Sequence, residues 1–371
     1  MRYDHIRNLL LVIADNIQTL SAAGVLKVLC GHAHSANVKM RFNALWALKH
    51  LVQASGNDTK KACLEELGPG WLVQLICENT EEEALYTATS RSTAPVDHDN
   101  DVYMEYSNED DGDRRILENA NATDATYINS TLSETTPDFQ KLRDTSSSTA
   151  WLINARFTML RDVEINPIKR AREDDTGVQE QGLDFIRNLI GCYSSTGIAE
   201  NSDMIDFLFS TLGQDQIFEI LASKLRSKVL NPFARRNSSD RIGKPETRVL
   251  PPQPEIIAAV EYILVNVAAS IPRHRQQVIE QTELLKLLLA QSNHPVKDVR
   301  LAFCWLVINL TWVDDDQDNV PRAQRAQELT RLGFLAKLEV LERDSDLDVR
   351  DRAKTAVWQL RQNMATTNRQ K

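Results

Sequence analysis

Glycine is scarce in this chain, and none of its 13 glycines builds a phosphate-cradling loop or a Gly-x-Ser-x-Gly elbow. Kinase-like, dinucleotide-binding and serine-hydrolase chemistry therefore lack their usual scaffolds. Cysteine is as uninformative: Cys30, Cys63, Cys77, Cys192 and Cys304 are odd in number and show no paired spacing. That excludes a disulfide framework and a zinc ribbon, and it fits reduced thiols in the cytoplasm or nucleus. No run approaches the roughly 20 apolar residues of a membrane span; the most apolar stretch, Ile256 to Ala269, is interrupted by Glu261 and Asn266. Net positive charge is missing too. At −9 the chain disfavours general nucleic-acid binding, although a local basic patch stays open. RYDHIRNLL after Met1 resembles no signal peptide.

Helical periodicity is abundant. Val38 to Val52 places Met40, Ala44, Ala47, Leu48 and Leu51 on one face, broadened by Val38, Phe42, Leu45 and Val52. Only Lys39, Asn43, Trp46 and His50 remain as a polar-aromatic strip. A helix buried on most sides with one such strip suits the inner layer of an α-solenoid. The Trp46/His50 spacing returns as Tyr262/Asn266 and Trp305/Asn309, and more weakly as Asp184/Asn188 and Trp358/Gln362. Tyr262 to Trp305 spans 43 residues and Trp305 to Trp358 spans 53, near the period of armadillo or HEAT arrays. An apolar run followed by a helix carrying Trp-x-x-x-Asn resembles the armadillo repeat, and the resemblance implies an all-α fold: an armadillo-type, right-handed α-solenoid with two disordered insertions.

The pattern divides the chain into N-terminal repeats (1–77), an acidic, mostly disordered insertion (78–177) and a further repeat (178–225). A basic, Pro-containing loop (226–253), C-terminal repeats (254–364) and a tail (365–371) complete the chain. Within the acidic insertion, Trp151 to Val163 is apolar enough to form a docking helix. Because the first residues already read as helix, the chain starts as if inside an array, as a truncated form would.

Catalysis and metal binding find little support, and no cofactor is expected. His32 and His34 lack a partner pair at ligand spacing and read as loop histidines. The acidic clusters Asp97–Asp101 and Asp314–Asp318 lack the glycine and closing glutamate of a Ca²⁺ loop. The basic stretch Lys224–Arg248 reads first as a solvated loop; Arg235-Arg236-Asn237-Ser238 within it also fits a basophilic phosphorylation site at Ser238, and a weak nuclear-import signal is the third reading. The positive signal is the strip, expected to form a partner-binding groove from Trp46, His50, Asn188, Glu255, Tyr262, Asn266, Asp298, Trp305, Asn309 and Trp358. Asparagine amides can each offer a donor and an acceptor to an extended main chain, and aromatics can flank its side chains. Glu255, Asp298 and Asp351 would favour a basic partner.

NALWALKHLV, CLEELGPGWLVQLI, VQEQGLDFIRNLI and YILVNVAAS resemble the armadillo-repeat scaffold subunit of the GID/CTLH ubiquitin ligase. The resemblance implies a non-catalytic subunit that docks substrate receptors onto the ligase core, in cytoplasm and nucleus, for degradation of metabolic enzymes. Its partners would be proteins, with no membrane span and no direct nucleic acid. The resemblance places the receptor's terminal segment in the groove of the C-terminal repeats, at Tyr262, Asn266, Trp305, Asn309 and Trp358. An importin-like carrier and a HEAT-type regulatory subunit are the alternatives.

Overall fold

In the computed structural model, the described residues are 24–53, 55–80, 167–191, 198–230, 248–313 and 318–369. Two compact units divide the chain: Met1–Thr80 with Arg172–Lys371, and Glu81–Ala171. Of the second unit only residues 167–171, the start of one helix, are described; the other described residues all belong to the first. The expected N-terminal helix, the Trp151–Val163 segment and nearly all of the acidic insertion lie outside the described residues.

Fourteen helices are described. They are α1 (Val25–Ala33), α2 (Val38–Gln53), α3 (Asn57–Leu67), α4 (Pro69–Cys77), α5 (Pro167–Leu189), α6 (Ile198–Leu212) and α7 (Gln214–Leu225). After a short ladder come α8 (Pro254–Ala268), α9 (Pro272–Ile279), α10 (Thr282–Gln291), α11 (Lys297–Leu310), α12 (Asn319–Leu332), α13 (Phe334–Leu341) and α14 (Leu347–Arg369). From α3 onward they group in threes, α3–α5, α6–α8, α9–α11 and α12–α14, with α1–α2 completing a further repeat. The third helices α2, α5, α8, α11 and α14 carry the strip residues.

Each element has a local cause. Gly68, Gly213 and Gly333 take φ of 84°, 84° and 103° between the first and second helices of three repeats. A side chain is strained there, which is why glycine stops one helix and starts the next. Pro69, Pro254 and Pro272 occupy first turns, where the missing N–H costs nothing. Along the third helices the apolar positions close into one continuous core: Leu45, Leu48, Leu183, Leu189, Val260, Leu264, Phe303, Leu306, Val307 and Leu360 are all fully buried.

Two boundaries differ from expectation. The acidic insertion does not run to residue 177, since α5 begins at Pro167. The basic stretch is not wholly loop, because Lys228–Leu230 (β1) pairs antiparallel with Arg248–Leu250 (β2), Lys228 opposite Leu250. Both insertions interrupt the same turn, between the second and third helices of adjacent repeats. Their roots are tied together: Thr80 donates from its N–H and hydroxyl to Asp175 at 2.7 Å each, and Lys228 Nζ donates to Asn79 at 2.9 Å.

Candidate functional site

Three arginines set the register of the strip. Arg41 Nη1 donates to the carbonyls of Ser35 and Ala36 at 3.0 and 3.3 Å. Arg300 Nη1 donates to those of His294 and Pro295 at 2.7 and 2.8 Å, and Arg350 Nη1 to those of Asp344 and Ser345 at 2.8 and 3.1 Å. In each repeat the arginine is the fourth residue of the third helix and closes the turn before it. Counting from these anchors, Trp46 and Trp305 are equivalent, and their counterpart on α14 is Thr355. Trp358 is therefore not the fourth aromatic of the row. It takes the place of the buried Ile308, yet is itself 62% exposed. Gln362 likewise yields its rung to Gln359, which is buried.

The asparagines form a ladder. Asn188 Nδ2 donates to the Lys49 carbonyl on α2 at 2.9 Å, Asn266 Nδ2 to the Arg187 carbonyl on α5 at 2.9 Å, and Asn309 Nδ2 to the Val265 carbonyl on α8 at 3.0 Å. Each acceptor directly precedes the equivalent strip residue of the previous repeat, His50, Asn188 or Asn266. The amides thus stitch third helix to third helix. This corrects the expectation that they are free for a ligand: one N–H of each is spent internally, and Asn188 is buried rather than on an exposed strip. The second N–H and Oδ1 of each amide have no partner among the described residues.

Two of the aromatics have one of the chain's own cations over the ring. Arg187 lies 4.3 Å from the centre of the Tyr262 ring, and Arg352 lies 4.3 Å from that of Trp305. Trp46 is 52% exposed and meets His50 edge-on at 4.6 Å. Lys39, Asn43, Trp46 and His50 are all exposed, as the periodicity of α2 implies. Glu255, Asp298 and Asp348 are each the second residue of their helix and all exposed, so Asp348 rather than Asp351 continues the acidic row. Asp184, at the aromatic's place on α5, is held by Lys49 Nζ at 2.9 Å. Burial raises the Glu180 carboxyl above its usual range, and the neighbouring Asp184 charge adds to the effect.

Elsewhere polar groups serve the fold. His34 Nε2 lies 2.9 Å from the Leu67 carbonyl, and the ring stacks on Trp71. Asp318, in the second acidic cluster, pairs with Arg325 in the buried interior. Ser270, His274 and Asp206 stand in a chain of 3.1 and 3.0 Å contacts that superficially fits a hydrolytic triad. Ser270 is 1% and His274 0% exposed, so no substrate carbonyl can reach the hydroxyl. Residue Ser238, the Asp97–Asp101 cluster and residues 314–317 lie outside the described residues.

Residues 14–53 match the armadillo/beta-catenin-like repeat family. The chain has an armadillo-repeat fold. Among curated proteins it is 23% identical to GID complex subunit 5 of Schizosaccharomyces pombe, over 56% of this chain and 30% of that protein. It thus spans less than a third of that relative's length. Two solved structures are similar at 14% identity. One is a designed armadillo repeat protein in complex with the peptide (KR)4, TM-score 0.46, covering 95% of this chain and 90% of that one. The other is a computationally designed armadillo repeat protein for modular peptide recognition, TM-score 0.48, covering 96% and 92%. No helix among the described residues is long and apolar enough to cross a membrane.

Proposed function

We propose that the chain is a non-catalytic scaffold that docks a substrate receptor onto a GID/CTLH-type ubiquitin ligase, in the service of ubiquitin–proteasome degradation of metabolic enzymes. The similarity to GID complex subunit 5 supports the assignment to that ligase. The observation that carries the docking role is the part of the ladder at Asn266 and Asn309, whose remaining amide groups lie along α8 and α11. An extended main chain laid across them would find alternating donors and acceptors, largely independent of its side chains. Tyr262 and Trp305 would border it, and the Glu255–Asp298–Asp348 row would favour basic residues beside it. Such a scaffold would act in the cytoplasm and the nucleus.

Affinity purification of the full chain tests the reading. RING-bearing ligase subunits and a receptor should co-purify, and the Asn266→Ala/Asn309→Ala double variant should lose the receptor while keeping the ligase core. Recovery of nuclear-import factors would point instead to an importin-like carrier, and of a phosphatase catalytic subunit to a regulatory subunit. Either result, with ligase subunits missing, overturns the proposal.

A further inference from the structure

Among the described arginines of the third helices, Arg352 stands apart. Arg41, Arg300 and Arg350 are consumed by turn carbonyls, Arg187 has Asp184 at 3.9 Å, and Arg361 has Glu339 at 2.8 Å. Arg352 is exposed, lies over Trp305 at 4.3 Å, and has no acceptor among the described residues. A guanidinium lying over an indole face keeps its planar N–H fork available to an outside acceptor. That is the geometry that takes a carboxylate in two parallel hydrogen bonds. In the register set by the turn arginines, Arg352 replaces Ala302, a small buried residue, so the rest of the row has no such cation at this place.

We propose that the Trp305–Arg352 stack reads an acidic side chain of the docked partner segment, a glutamate or aspartate within an otherwise basic stretch. The inference rests on the docking role of the ladder and deepens it. Charge complementarity selects the occupant, and height selects a side chain over a chain terminus. Trp305 stands one helical turn from Asn309, about 6 Å along the axis. A main chain held at Asn309 brings a glutamate side chain up to that level, whereas a terminal carboxylate would stay at the level of the amides. The Glu255–Asp298–Asp348 row would repel a second acid placed along the helix N-termini, so the acidic position is fixed rather than general.

The test is selection from a displayed random-peptide library on the full chain, on Arg352→Gln and on Arg352→Glu, with circular dichroism and melting temperature confirming that each folds. The wild-type chain should enrich peptides with Asp or Glu at one fixed position. Replacing that acid by Gln in a selected synthetic peptide should weaken binding on the order of tenfold. Arg352→Gln should lose the enrichment and that tenfold difference, and Arg352→Glu should enrich Lys or Arg at the same position. Amidating the peptide's C-terminus should change nothing. Peptides enriched in an Asn309-dependent way with no acidic position would overturn this inference and leave the docking reading standing. Binding abolished by C-terminal amidation would replace it with recognition of a terminus. No enriched peptide at all would remove both.

Discussion

At the scale of single residues, the strip positions were legible but their first duty was not. Asn309 and Asn266 stand out in sequence because an amide recurs at one place in an apolar helix. Sequence carries no sign that each amide reaches back 44 or 79 residues to a carbonyl of the previous repeat. The amides therefore contribute to the stability of the array. Asn309→Ala should lower unfolding stability by about 1 kcal/mol, the net worth of one hydrogen bond. Chemical denaturation checks it, and an unchanged midpoint would mean that the Val265 contact contributes nothing. Trp305→Ala should cost more, because the ring is half buried against the core and carries Arg352. Glu261 makes a second case. Its carboxylate is wholly buried on α8 with neither oxygen hydrogen-bonded, and burial drives its pKa well above the ordinary range. In the fold it holds a proton that the unfolded chain releases above the usual pKa of 4.5. Its contribution to stability is thus fully present below that value and is lost as pH rises toward the folded pKa. His274, held below its ordinary pKa by burial, acts in the opposite sense, losing stability below about pH 6.5. The difference between wild type and Glu261→Gln isolates the first effect: the wild type should lose stability relative to the variant from pH 5 to pH 8.

Among elements, the helices that pack were readable and those that do not were missed. The expected Val38–Val52 helix matches α2 within one residue because its apolar positions recur every turn. The first turns of α5, PIKRAREDD, carry almost no apolar residue, so their helicity left no periodic trace. Three-residue strands are equally silent, since period-two alternation needs more length to register. A stronger repeat signal than the tryptophans is present: VKMR, KDVR and LDVR open three third helices, and their arginines fix the turns. These anchors give the true register, and they explain why the Trp358/Gln362 rung was misplaced by three residues. Arg300 is the most engaged of them, with Nε and Nη2 on the two Asp344 oxygens at 2.6 and 2.9 Å in addition to two carbonyls. Lysine cannot reproduce that fork. Arg300→Lys should destabilise by about 2 kcal/mol, the range of charge-assisted hydrogen bonds lost from a half-buried site. Thermal unfolding should show a melting temperature several degrees lower, and an unchanged one would deny the arginine its anchoring role.

For the whole molecule, charge is the property that sequence and structure report alike. The chain carries −9 overall, and Glu255, Asp298 and Asp348 bring three exposed carboxylates to equivalent places on successive helices. Neighbouring third helices pack about 10 Å apart, close to the Debye length of about 8 Å at physiological ionic strength. The three charges therefore act on an approaching partner as a row rather than as isolated points, and most strongly in dilute salt. Each also sits in a helix first turn, where a carboxylate stabilises its own helix by about 0.3–1 kcal/mol. Removing one is thus not purely a binding experiment, and the rate of association separates the two roles. If the partner is basic, its association rate should fall several-fold between about 50 and 300 mM salt while its dissociation rate changes little. The Glu255→Gln/Asp298→Asn/Asp348→Asn variant should start from the lower rate and show a flatter salt dependence, after correction for its modestly lower stability. Arg352→Gln should leave that slope intact and act on dissociation, because a single stacked guanidinium holds a docked carboxylate rather than steering its approach. Stopped-flow association across a salt series measures all three proteins. A wild-type rate indifferent to salt would mean that the carboxylate row serves the helices alone and that docking is driven by the aromatic and amide positions.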